Sequence, residues 1–211
     1  MGSLQPSQSR YAERKETDGG RSLHTEKAFC PPLFQRYQLG ILPSRVLNKN
    51  GIFPTVFQLL RDARPEAEIG CLYEWEGIKY LVDTLSLSYH YHVADCNKTP
   101  KELGNMASSY IKEKHPALVA ICYDGPDHTG HTAGHDTPEY YEKLKELDMY
   151  VGQIVQAVKD AGMLDDTIFI LTSDHGGIDK GHGGKTMQEM EAAFIISGKN
   201  IKKGLRFDDV S

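Results

Sequence analysis

No apolar run in this 211-residue sequence approaches the ~20 consecutive positions that a bilayer-spanning helix needs. The first thirty residues are polar and lack the apolar core of a secretory signal, so the chain is expected to carry no export address of its own and leaves its compartment unassigned. A basic excess is also missing. With 24 Lys and Arg against 29 Asp and Glu, the formal charge is -5 and the pI about 6.0, which offers no electrostatic footprint for a nucleic-acid polymer or an acidic membrane. Cysteine is sparse as well: Cys30, Cys71, Cys96 and Cys122 form no Cys-x-x-Cys pair and read as structural or incidental thiols. What remains is ordinary for a globular chain, with 39% hydrophobic and 25% charged residues, enough for one sizeable core.

Order begins late. Residues 1–42 mix Gln, Ser, Arg, Glu, Lys and Gly without period, and this stretch is expected to be mostly disordered. Residues 43–211 form the expected domain. Within it, Pro54 to Leu60 reads as a short amphipathic helix ending before Pro65, and Ala67 to Trp75 has strand character. Thr99-Pro100-Lys101-Glu102 is a capping box with proline at the first helical position. The apolar face behind it, Leu103, Met106, Ala107, Tyr110 and Ile111, needs a sheet to cover.

Ala117 to Tyr123 is a continuous apolar run, the pattern of a strand buried on both faces of a parallel sheet. A second capped helix runs from Thr137-Pro138 to Gly162, with Tyr141, Leu144, Val151, Ile154, Val155 and Val158 on one side. Thr167 to Thr172 reads as another buried strand and Ala192 to Ile196 as one more. The alternation predicts an α/β fold, a mostly parallel sheet with helices on both faces.

Functional loops of such sheets lie beyond the carboxyl ends of the strands. The two strongest strands are followed by Asp124-Gly-Pro-Asp127-His128-Thr-Gly-His131 and by Ser173-Asp174-His175-Gly-Gly, the second continuing to Gly181-His182-Gly-Gly. Five of the nine histidines fall between positions 128 and 182. Imidazole nitrogen and carboxylate oxygen are the usual ligands of zinc and similar divalent ions. Either loop alone fits equally well as turn and cap chemistry; two of them on consecutive strands favour metal. In this reading His128 and His135 are bystanders, Asp124 is an acceptor that orients a ligating imidazole, and Asp148 has a hydrogen-bonded structural role on its helix.

The set Asp127-x-x-x-His131, Ser173-Asp174-His175-Gly176 and Gly181-His182-Gly183 resembles the alkaline phosphatase superfamily, and the YDGPDHTGH segment is most similar to its type I phosphodiesterase/nucleotide pyrophosphatase branch. The resemblance runs from about Pro43 to the C-terminus. It implies an alkaline phosphatase-like fold, incomplete here at both ends, and two divalent metal ions, commonly zinc. Asp127, His131 and His182 would hold one ion, while Asp174 and His175 would contribute to the second. The substrate implied is a small-molecule phosphate ester or nucleotide, and the reaction is metal-dependent hydrolysis. A phosphomutase of the same superfamily and a catalytically inactive metal-binding fragment are the alternatives.

The sequence departs from the family at its start. Members begin with a strand ending in a metal-binding Asp, followed by a Thr or Ser nucleophile at a helix N-terminus. Asp18-Gly19-Gly20 follows no apolar strand, and neither Cys30-Pro31-Pro32 nor Pro43-Ser44-Arg45 completes a sulfatase-like motif. The nucleophile is therefore not identified in this chain, which reads as a fragment of such an enzyme.

Overall fold

A computed structural model describes residues 26–29 as backbone and residues 54–93 and 100–206 in full. The strands and helices that follow are, in chain order, β1 (Glu26–Phe29), α1 (Val56–Ala63), β2 (Ile69–Tyr73), α2 (Ile78–Leu81), β3 (Tyr89–His92), α3 (Pro100–Lys114), β4 (Leu118–Cys122), α4 (Gly125–Thr132), α5 (Pro138–Asp160), β5 (Ile168–Thr172), α6 (Met187–Met190) and β6 (Glu191–Gly198). The reading of residues 1–42 falls outside the described residues except at β1, and Thr99, the expected cap of α3, lies outside them too.

Strands β3, β2 and β4 form a parallel sheet with β2 in the centre, Cys71 opposite His90 on one side and Ala120 on the other. All five residues of β2 are buried. Period-2 alternation sends them to two different cores. Ile69, Cys71 and Tyr73 pack with Phe57 of α1 and Val82. Leu72 faces the other way, onto Leu103, Ala107 and Tyr110 of α3 and onto Val93. Helices thus cover both faces of this sheet, as the alternating pattern requires.

The apolar stripe expected on α3 is the buried one: Leu103 and Ala107 are fully buried, and Ile111 reaches Ala157 and Val158 of α5. Helix α5 starts at Thr137, whose hydroxyl accepts the Tyr140 N–H, and ends where Gly162 takes φ 71, a conformation open to glycine at little cost.

Two expectations change. The second sheet, β1-β6-β5, is antiparallel throughout, with Ile170 opposite Ile196. Strand β5 is not buried: Ile168, Ile170 and Leu171 are exposed, and among the described residues β5 pairs with β6 alone. A continuous apolar run specifies a strand without specifying what covers it. Asp148 of α5 is exposed. Cys71 and Cys122 are free thiols on neighbouring strands, and contact with the Cys122 thiol, followed by burial, holds the Cys71 thiol above its ordinary value.

Candidate metal centre

The segment after β4 was expected as a loop and is instead the eight-residue helix α4, with Pro126 in its first turn. That correction matters for chemistry. In a helix, positions four apart lie on one face, so Asp127 and His131 stand side by side, with Asp127 Oδ2 3.4 Å from His131 Nε2. The second loop brings His182 to the same point. Its Nε2 lies 3.4 Å from Asp127 Oδ1 and 3.2 Å from His131 Nε2. One donor atom from each of the three residues falls within 4.8 Å of the others. Ligands set tetrahedrally around zinc at about 2.0–2.1 Å are about 3.3 Å apart, so this spacing fits one ion.

Hydrogen bonding prepares the same donors. His131 Nδ1 donates to the Lys180 carbonyl at 2.9 Å, and because a carbonyl only accepts, the proton sits on Nδ1 and leaves a lone pair on Nε2. Asp127 Oδ1 is buried and has no hydrogen-bond partner. A desolvated carboxylate oxygen without a donor is costly, and a lone pair aimed at the same point adds repulsion; a cation relieves both. For His182, burial first and then the neighbouring His175 hold the imidazole below its ordinary pKa, with Asp127 opposing. A neutral imidazole is the ligating form.

Asp174 and His175 follow β5 and lie beside this triad without joining it. The His175 ring stacks on His182 with centroids 3.8 Å apart. Its Nδ1 donates to the Gly176 carbonyl at 2.8 Å, and its Nε2 is 3.6 Å from Asp174 Oδ2, on a largely exposed carboxylate. His131 and His175 turn to backbone carbonyls, and the Asp124 N–H donates to Glu74 Oε2 at 2.7 Å.

His135, read as a bystander, is a wedge. Its backbone N–H and its Nδ1 both donate to the Asp179 carbonyl, at 2.6 and 3.1 Å. A Cβ at Gly130 would lie 2.3 Å from its Nε2, and one at Gly177 2.2 Å, so the ring fills a space that only glycines leave open. His135 thereby ties α4 to the His182 loop. Glu189 holds the His182 loop from its other end. Its buried carboxylate accepts the Gly184 N–H at 2.8 Å and closes a capping box with Thr186. Those hydrogen bonds, from Thr186 first, hold its carboxyl below the usual range. Thr186-x-x-Glu189 is a signature of a helix start that is visible in the sequence itself.

Glu74 carried no motif at all. It follows β2 and is only 4% exposed, and its Oε1 has no hydrogen-bond partner, like the buried Tyr123 Oη. Burial pushes its carboxyl up to about 7, against the opposing pull of the Asp124 and Gly125 N–H groups. Because the folded value lies above the unfolded value near 4.5, the stability it contributes is complete below that value and is lost as pH rises through about 7. The loss is on the order of 3 kcal/mol. Denaturant unfolding of the metal-free chain is expected to give a stability difference, wild type minus Glu74→Gln, that falls between pH 5 and pH 8 and favours the variant at pH 8. A difference independent of pH would remove Glu74 as its source.

Residues 71–192, more than half of the chain, match the family described as type I phosphodiesterase / nucleotide pyrophosphatase. GPI ethanolamine phosphate transferase 3 of Schizosaccharomyces pombe is 30% identical over 122 residues, 57% of this chain and 13% of that protein. Bis(5'-adenosyl)-triphosphatase enpp4 of Mus musculus is 31% identical over 104 residues, 48% of this chain and 23% of that protein. The chain thus spans less than a quarter of either relative. Among solved structures, a protein in the alkaline phosphatase superfamily from Vibrio parahaemolyticus superposes with a TM-score of 0.51 at 17% identity, over 74% of this chain and 43% of that one, a likeness of fold. This chain belongs to the type I phosphodiesterase/nucleotide pyrophosphatase family, on an alkaline phosphatase-like fold.

Proposed function

We propose that the chain carries the metal-binding part of a phosphoric ester hydrolase acting on phosphodiesters or nucleotides, with Asp127, His131 and His182 holding one divalent ion, zinc by preference, and Asp174 and His175 contributing to a second. The observation that carries the proposal is the convergence of three donors on one point where Asp127 Oδ1 is buried without a partner. The donor set supports zinc, since two imidazoles and a carboxylate are common ligands of that ion. The two relatives, an ethanolamine phosphate transferase and a triphosphatase, support phosphate chemistry.

When bound, such ions polarise the phosphoryl oxygens and lower the pKa of an attacking hydroxyl or water. The chain's own residues do the rest. Helix α4 sets Asp127 and His131 at a fixed spacing, the Lys180 carbonyl keeps the His131 proton on Nδ1, and the Glu189 carboxylate holds the backbone after His182. The attacking hydroxyl is not assigned among the described residues. The two ions are expected to differ in strength, with three protein ligands for the first and two for the second. No helix among the described residues is long and apolar enough to cross a membrane, and the substrate is proposed as a small-molecule phosphate ester or nucleotide.

The test is hydrolysis of bis(4-nitrophenyl) phosphate by the purified chain. Lewis-acid stabilisation of several kcal/mol corresponds to a loss of at least about a hundredfold on chelation, restored by zinc. Nitrophenol release that is indifferent to chelator, or equal in Asp127→Asn, would contradict the proposal.

A further inference from the structure

We propose that Glu74 is a positioning residue for the metal centre: from the end of the buried strand β2, its carboxylate fixes the start of α4 and thereby the places of Asp127 and His131.

Helix α4 has eight residues, and a helix that short is marginal on its own. Its first N–H groups need acceptors from outside the helix. The residue at its N-cap, Asp124, supplies no side-chain cap. Glu74 supplies the acceptor instead from fifty positions away, taking the Asp124 N–H on Oε2 at 2.7 Å and reaching the Gly125 N–H as well. Its own backbone N–H donates to the Cys122 carbonyl at 3.1 Å, so main chain and side chain of one residue bind both sides of the β4–α4 junction. The frame on which Glu74 sits is β2, all five residues of which are buried.

Asp127 follows the held N–H groups within one helical turn, so a shift there moves the first ligand directly and His131 with it. Glu74 itself makes none of the triad contacts and acts through α4. The far end of the helix is held separately: Lys180 Nζ donates to the Thr132 carbonyl at 2.8 Å, and the Lys180 carbonyl takes the His131 proton. Loss of Glu74 therefore leaves a helix held at its C-terminus and loose at its start.

The zinc arm of the test rests on the metal reading above, while the exchange arm does not. In the metal-free chain, Glu74→Ala is expected to speed amide hydrogen exchange across α4 by about tenfold or more, with the interiors of α3 and α5 unchanged. Glu74→Gln, whose amide oxygen accepts the same N–H groups, should stay within about threefold of wild type. Zinc titration should follow the same order, with affinity about tenfold or more weaker in the alanine variant and nearly normal in the glutamine variant.

Wild-type exchange or wild-type zinc affinity in folded Glu74→Ala overturns the proposal. So does a glutamine variant as loose as the alanine one. Should Glu74→Ala fail to fold, Glu74→Asp keeps the charge and shortens the reach by one methylene. It must then show the faster exchange, and wild-type protection in it overturns the proposal equally. Absence of zinc binding by the wild-type chain refutes the metal reading alone, and the exchange result still decides the role of Glu74.

Discussion

His182→Ala is expected to weaken zinc binding by more than about a hundredfold, beyond the 10–100-fold that the loss of an outer hydrogen-bond partner costs. The reason is geometric. His182 is the one triad member that does not come from α4, and its Nε2 closes the set at 3.4 Å from Asp127 Oδ1 and 3.2 Å from His131 Nε2. Without it, two donors from a single helix face remain. Competition with a chelating dye measures this directly. His128→Ala, a change on the same helix outside the triad, should bind zinc as wild type does, and equal weakening by both variants would move the ion elsewhere.

Leu103→Ala is expected to cost about 2–5 kcal/mol of folding stability, the range for removing a fully buried leucine side chain. Leu103 is completely buried and packs with Leu72 of β2 and with Ala107 and Tyr110. It joins α3 to the central strand rather than touching the metal centre. At a denaturant-free temperature where the variant is folded, its zinc affinity should therefore equal that of wild type. The pair of variants separates scaffold from site: one loses stability and keeps the ion, the other loses the ion. Loss of zinc affinity by folded Leu103→Ala would mean that the site depends on the packing of α3.

The parallel sheet and its covering helices are legible in the sequence because apolar runs and helical stripes are local properties of the chain. The helical state of residues 125–132 is not, for an equally local reason. Gly125, Pro126 and Gly130 are turn and breaker residues, while an acceptor at the start of the helix comes from Glu74, fifty positions away just beyond the end of β2. Strand direction was also out of reach: Ala192 to Ile196 is recognisable as a strand, but nothing in its composition says that β6 runs antiparallel to β5. Exposure of Ile168, Ile170 and Leu171 depends on what lies over the two faces of β5, which periodicity does not report.

At the candidate site, residue types and spacing were legible, since Asp-x-x-x-His and Gly-His-Gly are visible as strings. The supports were not. Lys180 acts through a carbonyl that every residue has, and His135 through a shape that two distant glycines leave open. Glu189 was the exception, announced by Thr186 three positions before it.

The most direct measurement is anomalous diffraction at the zinc edge from crystals of the chain grown with zinc. A strong peak is expected at about 2.0–2.2 Å from one donor atom each of Asp127, His131 and His182, with any second peak, near Asp174 and His175, weaker in occupancy. A fully occupied zinc bound away from these three side chains, with the triad itself empty, would contradict the account.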